Sequence, residues 1–387
     1  MGTPIPLSDG ASAQLARLAV AVEAHRGELA AALWEVETQA TTRTELEWLT
    51  AGLNPGRRAA WLAQRRGIGT VFAATPATLP LYSTLLFALA PTLAGNRVVV
   101  RPATASRRCV ALLIELAAEA GLAVELADEP WHRFAATAAD NADGMVYCGS
   151  TDHAAELDHI LPERVRLICQ GPGVCAAVVP DTADLAVAAE SVIETRIFNN
   201  GQDCLATERV YVHRAVRDEF AATLITAADR IRIGANTDPA TRIGPPLVPG
   251  FVEKWASDLS SHGAVLRVPE REGSVYGVAI VEAAADAPIV VQEKYCPVLP
   301  LVTYRDENEL GQMLALGEYA LGLTVFGARL PVFGTLDFCH VAVGGSLYEH
   351  EDAWSAFGGH RRTTLVRGPG VRRTGPVLVP YALSDPL

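Results

Sequence analysis

Seven cysteines are spread from Cys109 to Cys339, an odd number with no C-x-x-C pair among them. Neither a disulfide framework nor a zinc ribbon follows from that spacing. A single thiol has another use: as a thiolate it attacks carbonyl carbon, and the adduct becomes a thioester by expelling a leaving group or a hydride to an acceptor. Free cysteine is also among the most buried residue types, so the question is which one is reactive. The nine histidines show neither H-x-x-x-H nor H-E-x-x-H spacing, and no catalytic metal is expected. A second feature with chemical potential is Gly149-Ser150-Thr151, a turn whose backbone and hydroxyl donors would suit a phosphate at a helix start.

These groups need elements to hold them. From about Ser12 to Glu47, Ala, Leu and Glu recur at helical spacing, which predicts a helical N-terminal arm broken at Asn54-Pro55-Gly56. GTVFAATP, from Gly69, reads as a buried strand, TLLFALAPTLAGN as a helix stopped by Gly95-Asn96, and RVVVRP as a second strand. SRRCVALLIELAAEAGL gives a helix closed by Gly121, AVELA a short strand, and GMVYCGST a strand running into the Gly-Ser-Thr turn. RVRLICQGPG, CAAVVPDTADL and ERVYVHRAV add strands, with helices over ADLAVAAESVIETRIFNN and RDEFAATLITAADRIRIG. This alternation predicts parallel sheets wound on both faces, with ligands outside the carboxyl ends of the strands. The Pro-rich end, GPVLVPYALSDPL, reads as an extended tail or edge strand.

A chain of 387 residues exceeds one ordinary core, so two domains sharing a cleft are expected. Half the residues are hydrophobic and 20% are charged, which excludes a largely disordered chain. With 44 acidic against 32 basic residues, the net charge of −12 repels a phosphate backbone and argues against nucleic acid as a partner. MGTPIPLSDG has no basic run leading into an apolar stretch, and the apolar segments are interrupted before a membrane span is complete. A cytoplasmic protein without membrane partners is the expectation.

FNNGQDC, ending at Cys204, resembles the cysteine motif F-x-N-x-G-Q-x-C of the aldehyde dehydrogenase superfamily, with Phe198, Asn200, Gly201, Gln202 and Cys204 as the matching residues. IRIGANTDPATRIGPPL and VVQEKYCPVLPLVTY are similar to two further stretches of that family, in the family's order, as are LAGNRVVVRPA, the Gly-Ser-Thr turn, LGLTVF and SAFGG. The chain is thereby identified as a short, divergent member. The resemblance implies an α/β fold of two doubly wound domains sharing an active-site cleft. Residues 1–171 would form the helical arm and a Rossmann-like cofactor-binding domain, 172–365 the catalytic cysteine domain, and 366–387 a C-terminal tail.

The same resemblance assigns roles. Cys204 would be the nucleophile that forms a thiohemiacetal and then a thioester, in an NAD(P)-dependent oxidoreductase acting on an aldehyde. Thr78 stands where the family carries an oxyanion-binding Asn, and Gln170 where it carries the Glu that activates water. A glutamine cannot take a proton at neutral pH, which leaves Asp203 and Glu293 as substitute bases. Gly149 and Ser150 would meet the pyrophosphate. Glu293 would contact the nicotinamide ribose, with Tyr295 packed nearby. Arg101 and Thr104 replace a Lys and a Glu near the adenosine ribose, an exchange that makes NADP(H) at least as plausible as NAD.

Without the water-activating Glu, acyl transfer to or from coenzyme A or a carrier thiol is an alternative, with an acyl thioester as substrate in the reverse direction. A degenerate member that keeps the fold as a binding or scaffold protein is the other. GLNPGRRAAWLAQRRGIGTV leaves little room for the β-hairpin that bridges subunits in the family, so a homo-oligomer would assemble differently.

Overall fold

The computed structural model describes residues 9–54, 64–327 and 338–386. The stretch read as a shortened hairpin, with its Asn-Pro-Gly turn, runs into residues 55–63, which lie outside the described residues. Three helices, Asp9–Ala24, Arg26–Leu33 and Gln39–Gly52, form the N-terminal arm. Their apolar stripe, including the fully buried Leu18, Leu29, Leu33 and Leu49, packs into the core of the first α/β unit.

That unit contains β1 (Arg65–Gly67), β2 (Thr70–Thr75), β3 (Arg97–Pro102), β4 (Val124–Leu126), β5 (Gly144–Cys148) and β6 (Arg166–Gln170). The second contains β7 (Cys175–Val179), β8 (Thr207–His213), β9 (Ala264–Arg267), the ribbon β10 (Arg271–Glu272) and β11 (Val275–Tyr276), β12 (Ala279–Glu282), β13 (Val298–Tyr304), β14 (Tyr319–Ala320), β15 (Gly322–Val325) and β16 (His340–Val343). The chain then returns through β17 (His360–Arg361), β18 (Thr364–Gly368), β19 (Val371–Thr374) and β20 (Ser384–Pro386).

Two seven-stranded sheets result. The first has the order β19-β18-β6-β5-β2-β3-β4, parallel from β6 to β4, with β18 and β19 added antiparallel. The second has the order β16-β15-β7-β8-β13-β12-β9, parallel except for β9. Alternation along each strand fills both faces. Val71 and Ala73 of β2 enter one core, whereas Phe72 and Ala74 enter the other; Ala176 and Val178 of β7 oppose Ala177 and Val179 in the same way. Two doubly wound α/β units are therefore present.

Two details differ from the sequence reading. The helix expected over TLLFALAPTLAGN begins earlier, at Pro80, and passes through a π turn at Leu85–Leu89 before Pro91, which has no N–H to donate. The C-terminal segment, set apart from residue 366 on, supplies the last part of β18 and all of β19 to the first sheet; its Pro-rich end, read as an extended tail or edge strand, finishes as the edge strand β20, paired antiparallel with β1. Asn96 Nδ2 donates to the Leu383 carbonyl at 2.9 Å, and Leu383 is fully buried. Among the described residues, no helix is long and apolar enough to cross a membrane.

In the first sheet, β2 to β4 proceed one way and β5 and β6 the other, so the strand order reverses between β2 and β5. The loops leaving the carboxyl ends of these two strands diverge there and leave a crevice. One loop carries Thr78 and the other carries Gly149 and Ser150.

Candidate active site

Cys204 is presented by a backbone that ordinary residues avoid. Helix Leu185–Ile197, capped by Asp184, gives way to three successive residues with left-handed backbone: Asn199 (φ 48°), Asn200 (φ 59°) and Gly201 (φ 73°). Asn and Gly are the residue types that tolerate this conformation. Tertiary contacts then fix the loop. Asn200 Oδ1 accepts from the Gly244 N–H at 2.6 Å, and Gln202 Oε1 accepts from the Leu247 N–H at 3.0 Å. From the other side, Gly173 passes so close to the Cys204 carbonyl oxygen that a Cβ at this position would collide with it.

Beneath the loop lies a buried ion cluster. Arg196 and Lys294 pair with Glu208 at 2.6 and 2.8 Å, and all three side chains are at most 1% exposed. Arg196 also donates to the Gly201 carbonyl, and the Lys294 N–H donates to Glu208 at 2.9 Å. One carboxylate thus ties the helix before Cys204 to the segment carrying Glu293 and Tyr295. Its paired charges hold Glu208 below the usual carboxylate range despite burial, and burial brings Lys294 down to about 8.

Cys204 opens into a cavity of about 290 Å³ whose walls include Thr78, Gly149, Ser150, Gln170, Glu293 and Tyr295. With Asp203, which also lines it, seven of the sequence-selected positions thus meet around the cysteine. Ser150 caps helix Thr151–Ile160, accepting from the His153 N–H at 3.4 Å, and is exposed at the helix start. Thr78 neighbours the Tyr295 hydroxyl, so two hydroxyl groups stand where the resemblance expected one amide. The Gln170 amide is committed elsewhere. Its Oε1 accepts from the Thr364 hydroxyl at 2.7 Å and its Nε2 donates to the Phe357 carbonyl at 3.3 Å.

Strain concentrates around this cavity. Leu79 (φ 42°), Val174 (φ 47°) and Tyr295 (φ 52°) join the two asparagines in the left-handed region. Such residues cost about 1–3 kcal/mol each and persist only where the surroundings over-determine them.

The electrostatics are acidic. Burial, then Asp203, Cys175, Glu293 and Glu351, push the half-buried Cys204 thiol well above its ordinary value. Burial and the Glu208 charge raise Glu293 to about 7; burial and Asp203 raise Glu351 to about 7. Asp203, whose Oδ1 accepts from the Leu205 N–H at 2.8 Å and from the Tyr348 hydroxyl at 3.0 Å, is also raised, chiefly by burial. Glu293 accepts a long 3.4 Å bond from the Gly173 N–H and is poised near neutrality, as a general base requires.

Arg101 and Thr104 are not brought into the cavity. Arg101, at the carboxyl end of β3, donates to the Glu129 carbonyl at 3.2 Å with its guanidinium 5.8 Å from the Trp131 ring centre, and Thr104 is exposed on the turn that follows. Sequence reasoning missed Trp48, Tyr82, Tyr348 and Glu351, which also line the cavity. It also missed Glu45, whose Oε1 accepts from the Leu81 and Tyr82 N–H groups at 2.7 and 2.9 Å and so anchors the Thr78 loop. Only the arm's helical periodicity was available as a signal, and it does not reveal what the arm touches. Among the described residues, no cluster of three or more His, Cys, Asp or Glu could hold a metal.

Comparison with known proteins places the chain. A succinate-semialdehyde dehydrogenase [NADP(+)] of Mycobacterium leprae is 27% identical over 254 residues, 61% of this chain and 55% of that protein. A glutarate-semialdehyde dehydrogenase of Pseudomonas putida is 28% identical over 327 residues, 78% of this chain and 66% of that protein. The chain thus spans little more than half the length of the Mycobacterium relative. Among solved structures, the Methanocaldococcus jannaschii glyceraldehyde-3-phosphate dehydrogenase GapN complexed with NADP matches with a TM-score of 0.85 at 19% identity, covering 98% of this chain and 89% of that one. At that identity the likeness establishes the fold. The model of the aldehyde dehydrogenase family matches residues 13–372, and the chain belongs to that family.

Proposed function

We propose that the chain is an NAD(P)-dependent oxidoreductase acting on an aldehyde, with Cys204 as the nucleophile. The observation that carries this reading is the meeting of Cys204, Thr78, Gly149, Ser150 and Glu293 around one cavity at the reversal of strand order. The exposed start of helix Thr151–Ile160, with Gly149 and Ser150 before it, fits a pyrophosphate. Arg101 and Thr104 lie at and just beyond the end of β3, two strands from β5 with β2 between, and an arginine there favours a 2′-phosphate. The NADP in the relatives' names supports the same choice. When bound, the nicotinamide group supplies the hydride acceptor. In this reading residues 1–171 bind the cofactor, 172–365 carry the chemistry, and 366–387 brace the first sheet.

The chain's own residues do the rest. Cys204 loses its proton and its sulfur attacks the aldehyde carbon. The Thr78 and Tyr295 hydroxyls stand as donors for the developing oxyanion. Glu293, raised to about 7, is the carboxylate able to take a proton from the thiol or from water. Absorbance of NADPH and NADH with a panel of aldehydes tests the reading, and Cys204→Ala must abolish turnover.

The locked Gln170 amide favours a second outcome for the thioester, transfer to coenzyme A or a carrier thiol. Turnover that requires an added thiol supports transfer. Thiol-independent oxidation supports hydrolysis, and its loss in Glu293→Gln would assign the base to Glu293.

A further inference from the structure

The cavity beside Cys204 has a charge pattern that selects among aldehydes. Asp203, Glu293 and Glu351 line it, and none of its described lining residues is Lys, Arg or His. Aromatic rings stand beside the acids. Trp48 lies 5.5 Å from Tyr82 and 5.9 Å from Tyr348, ring centre to ring centre.

Both tyrosine hydroxyls already donate to carboxylates: Tyr82 to Glu351 at 3.2 Å and Tyr348 to Asp203 at 3.0 Å. They are therefore committed as donors and unavailable to a second carboxylate on the substrate. An anionic aldehyde would meet acidic groups with no counter-ion among the described lining residues. A cation would meet aromatic π density and carboxylates, the combination that recognises ammonium groups.

We propose that the aldehyde taken by this chain carries a cationic head, a quaternary or primary ammonium, held by Trp48, Tyr82, Tyr348 and Glu351. This rests on the aldehyde-oxidising reading and adds its substrate class. Burial and Asp203 hold Glu351 near neutrality, and an ammonium in the cage would offset both effects by favouring the carboxylate.

The test separates binding from turnover. Quenching of tryptophan fluorescence in the wild-type chain is titrated with three unreactive alcohols: 4-(trimethylammonio)butan-1-ol, its neutral isostere 5,5-dimethylhexan-1-ol, and 4-hydroxybutanoate. The corresponding aldehydes are assayed with NADP. The cationic alcohol is expected to bind at least tenfold tighter than the isostere, with the anion weakest and kcat/KM in the same order. Glu351→Gln should cut the cation-to-neutral ratio at least fivefold, and Trp48→Leu should lower it as well. Equal binding of cation and isostere, or tighter binding of the anion, overturns the proposal. Selective binding of the cationic alcohol without oxidation of any aldehyde keeps the cage but overturns the oxidoreductase reading.

Discussion

The Asn200 side-chain oxygen accepts a 2.6 Å hydrogen bond from the Gly244 N–H, forty-four residues further along the chain. With Gln202 on Leu247, it clamps the loop that presents Cys204 onto the segment Ile243-Gly244-Pro245-Pro246-Leu247. Two stretches that look like separate motifs in the sequence are therefore one device. Asn200→Ala and Asn200→Gly both remove the clamp, but only alanine pays for the left-handed backbone at φ 59°. The alanine variant should be less stable than the glycine variant by about 1–2 kcal/mol in urea unfolding. Both should lose turnover if Cys204 is misplaced; equal stability of the two would refute the strain argument.

Gly173 is restricted by contact. A methyl group there meets the Cys204 carbonyl oxygen and the Leu321 side chain. Gly173→Ala should therefore displace the nucleophile, lowering kcat by about a hundredfold, the scale set by ångström misplacement of reacting groups. Near-normal kcat in a folded Gly173→Ala protein would show that the loop yields freely.

Burial, together with the acids around Cys204, keeps its thiol protonated, so alkylation of the unliganded protein should be slow at pH 7.5 and accelerate steadily up to pH 9. Glu293→Gln removes a negative neighbour, which lowers the thiol pKa and raises the thiolate fraction. Each unit of pKa is worth about a tenfold change in thiolate. Iodoacetamide labelling of Cys204, followed by mass spectrometry, should be several-fold faster in Glu293→Gln while aldehyde turnover falls. A slower rate would reverse the assigned sign.

Glu45 links the N-terminal arm to the Thr78 loop, and burial raises its carboxyl to about 7. An acid whose folded-state value is raised binds more protons folded than unfolded between about pH 4.5 and 7, so its contribution to stability declines as pH rises through that window. Glutamine keeps the accepting oxygen without the charge. Thermal unfolding of Glu45→Gln should therefore gain on the wild type as pH goes from 5 to 7.5. Glu45→Ala, which orphans the Leu81 and Tyr82 N–H groups, should cost about 1–3 kcal/mol. A constant gap between glutamine variant and wild type across this range would remove Glu45 from the pH dependence.

Glu208 is the single carboxylate between two buried cations. Glu208→Ala leaves Arg196 and Lys294 uncompensated and should destabilise by about 3–5 kcal/mol, measured by chemical unfolding. A loss below about 1 kcal/mol would mean that the cations find other partners or water.

The alternation of apolar runs with helical periods was sufficient for two doubly wound sheets, because burial on both faces of a parallel strand leaves its mark locally. The resemblance of FNNGQDC to the family's cysteine motif singled out Cys204, and its Asn-Asn-Gly run suits the left-handed backbone found there. Other features were decided only when distant segments met. Periodicity shows that the arm has an apolar face; it does not reveal that Glu45 reaches the Thr78 loop or that Trp48 enters the cavity wall. The return of residues 364–374 to the first sheet and the hydrogen bonds that commit Gln170 depend on the same long-range pairing. So does the acidity of the cavity: Asp203, Glu293 and Glu351 are up to 148 residues apart in the chain, and only folding removes the water that would have screened them.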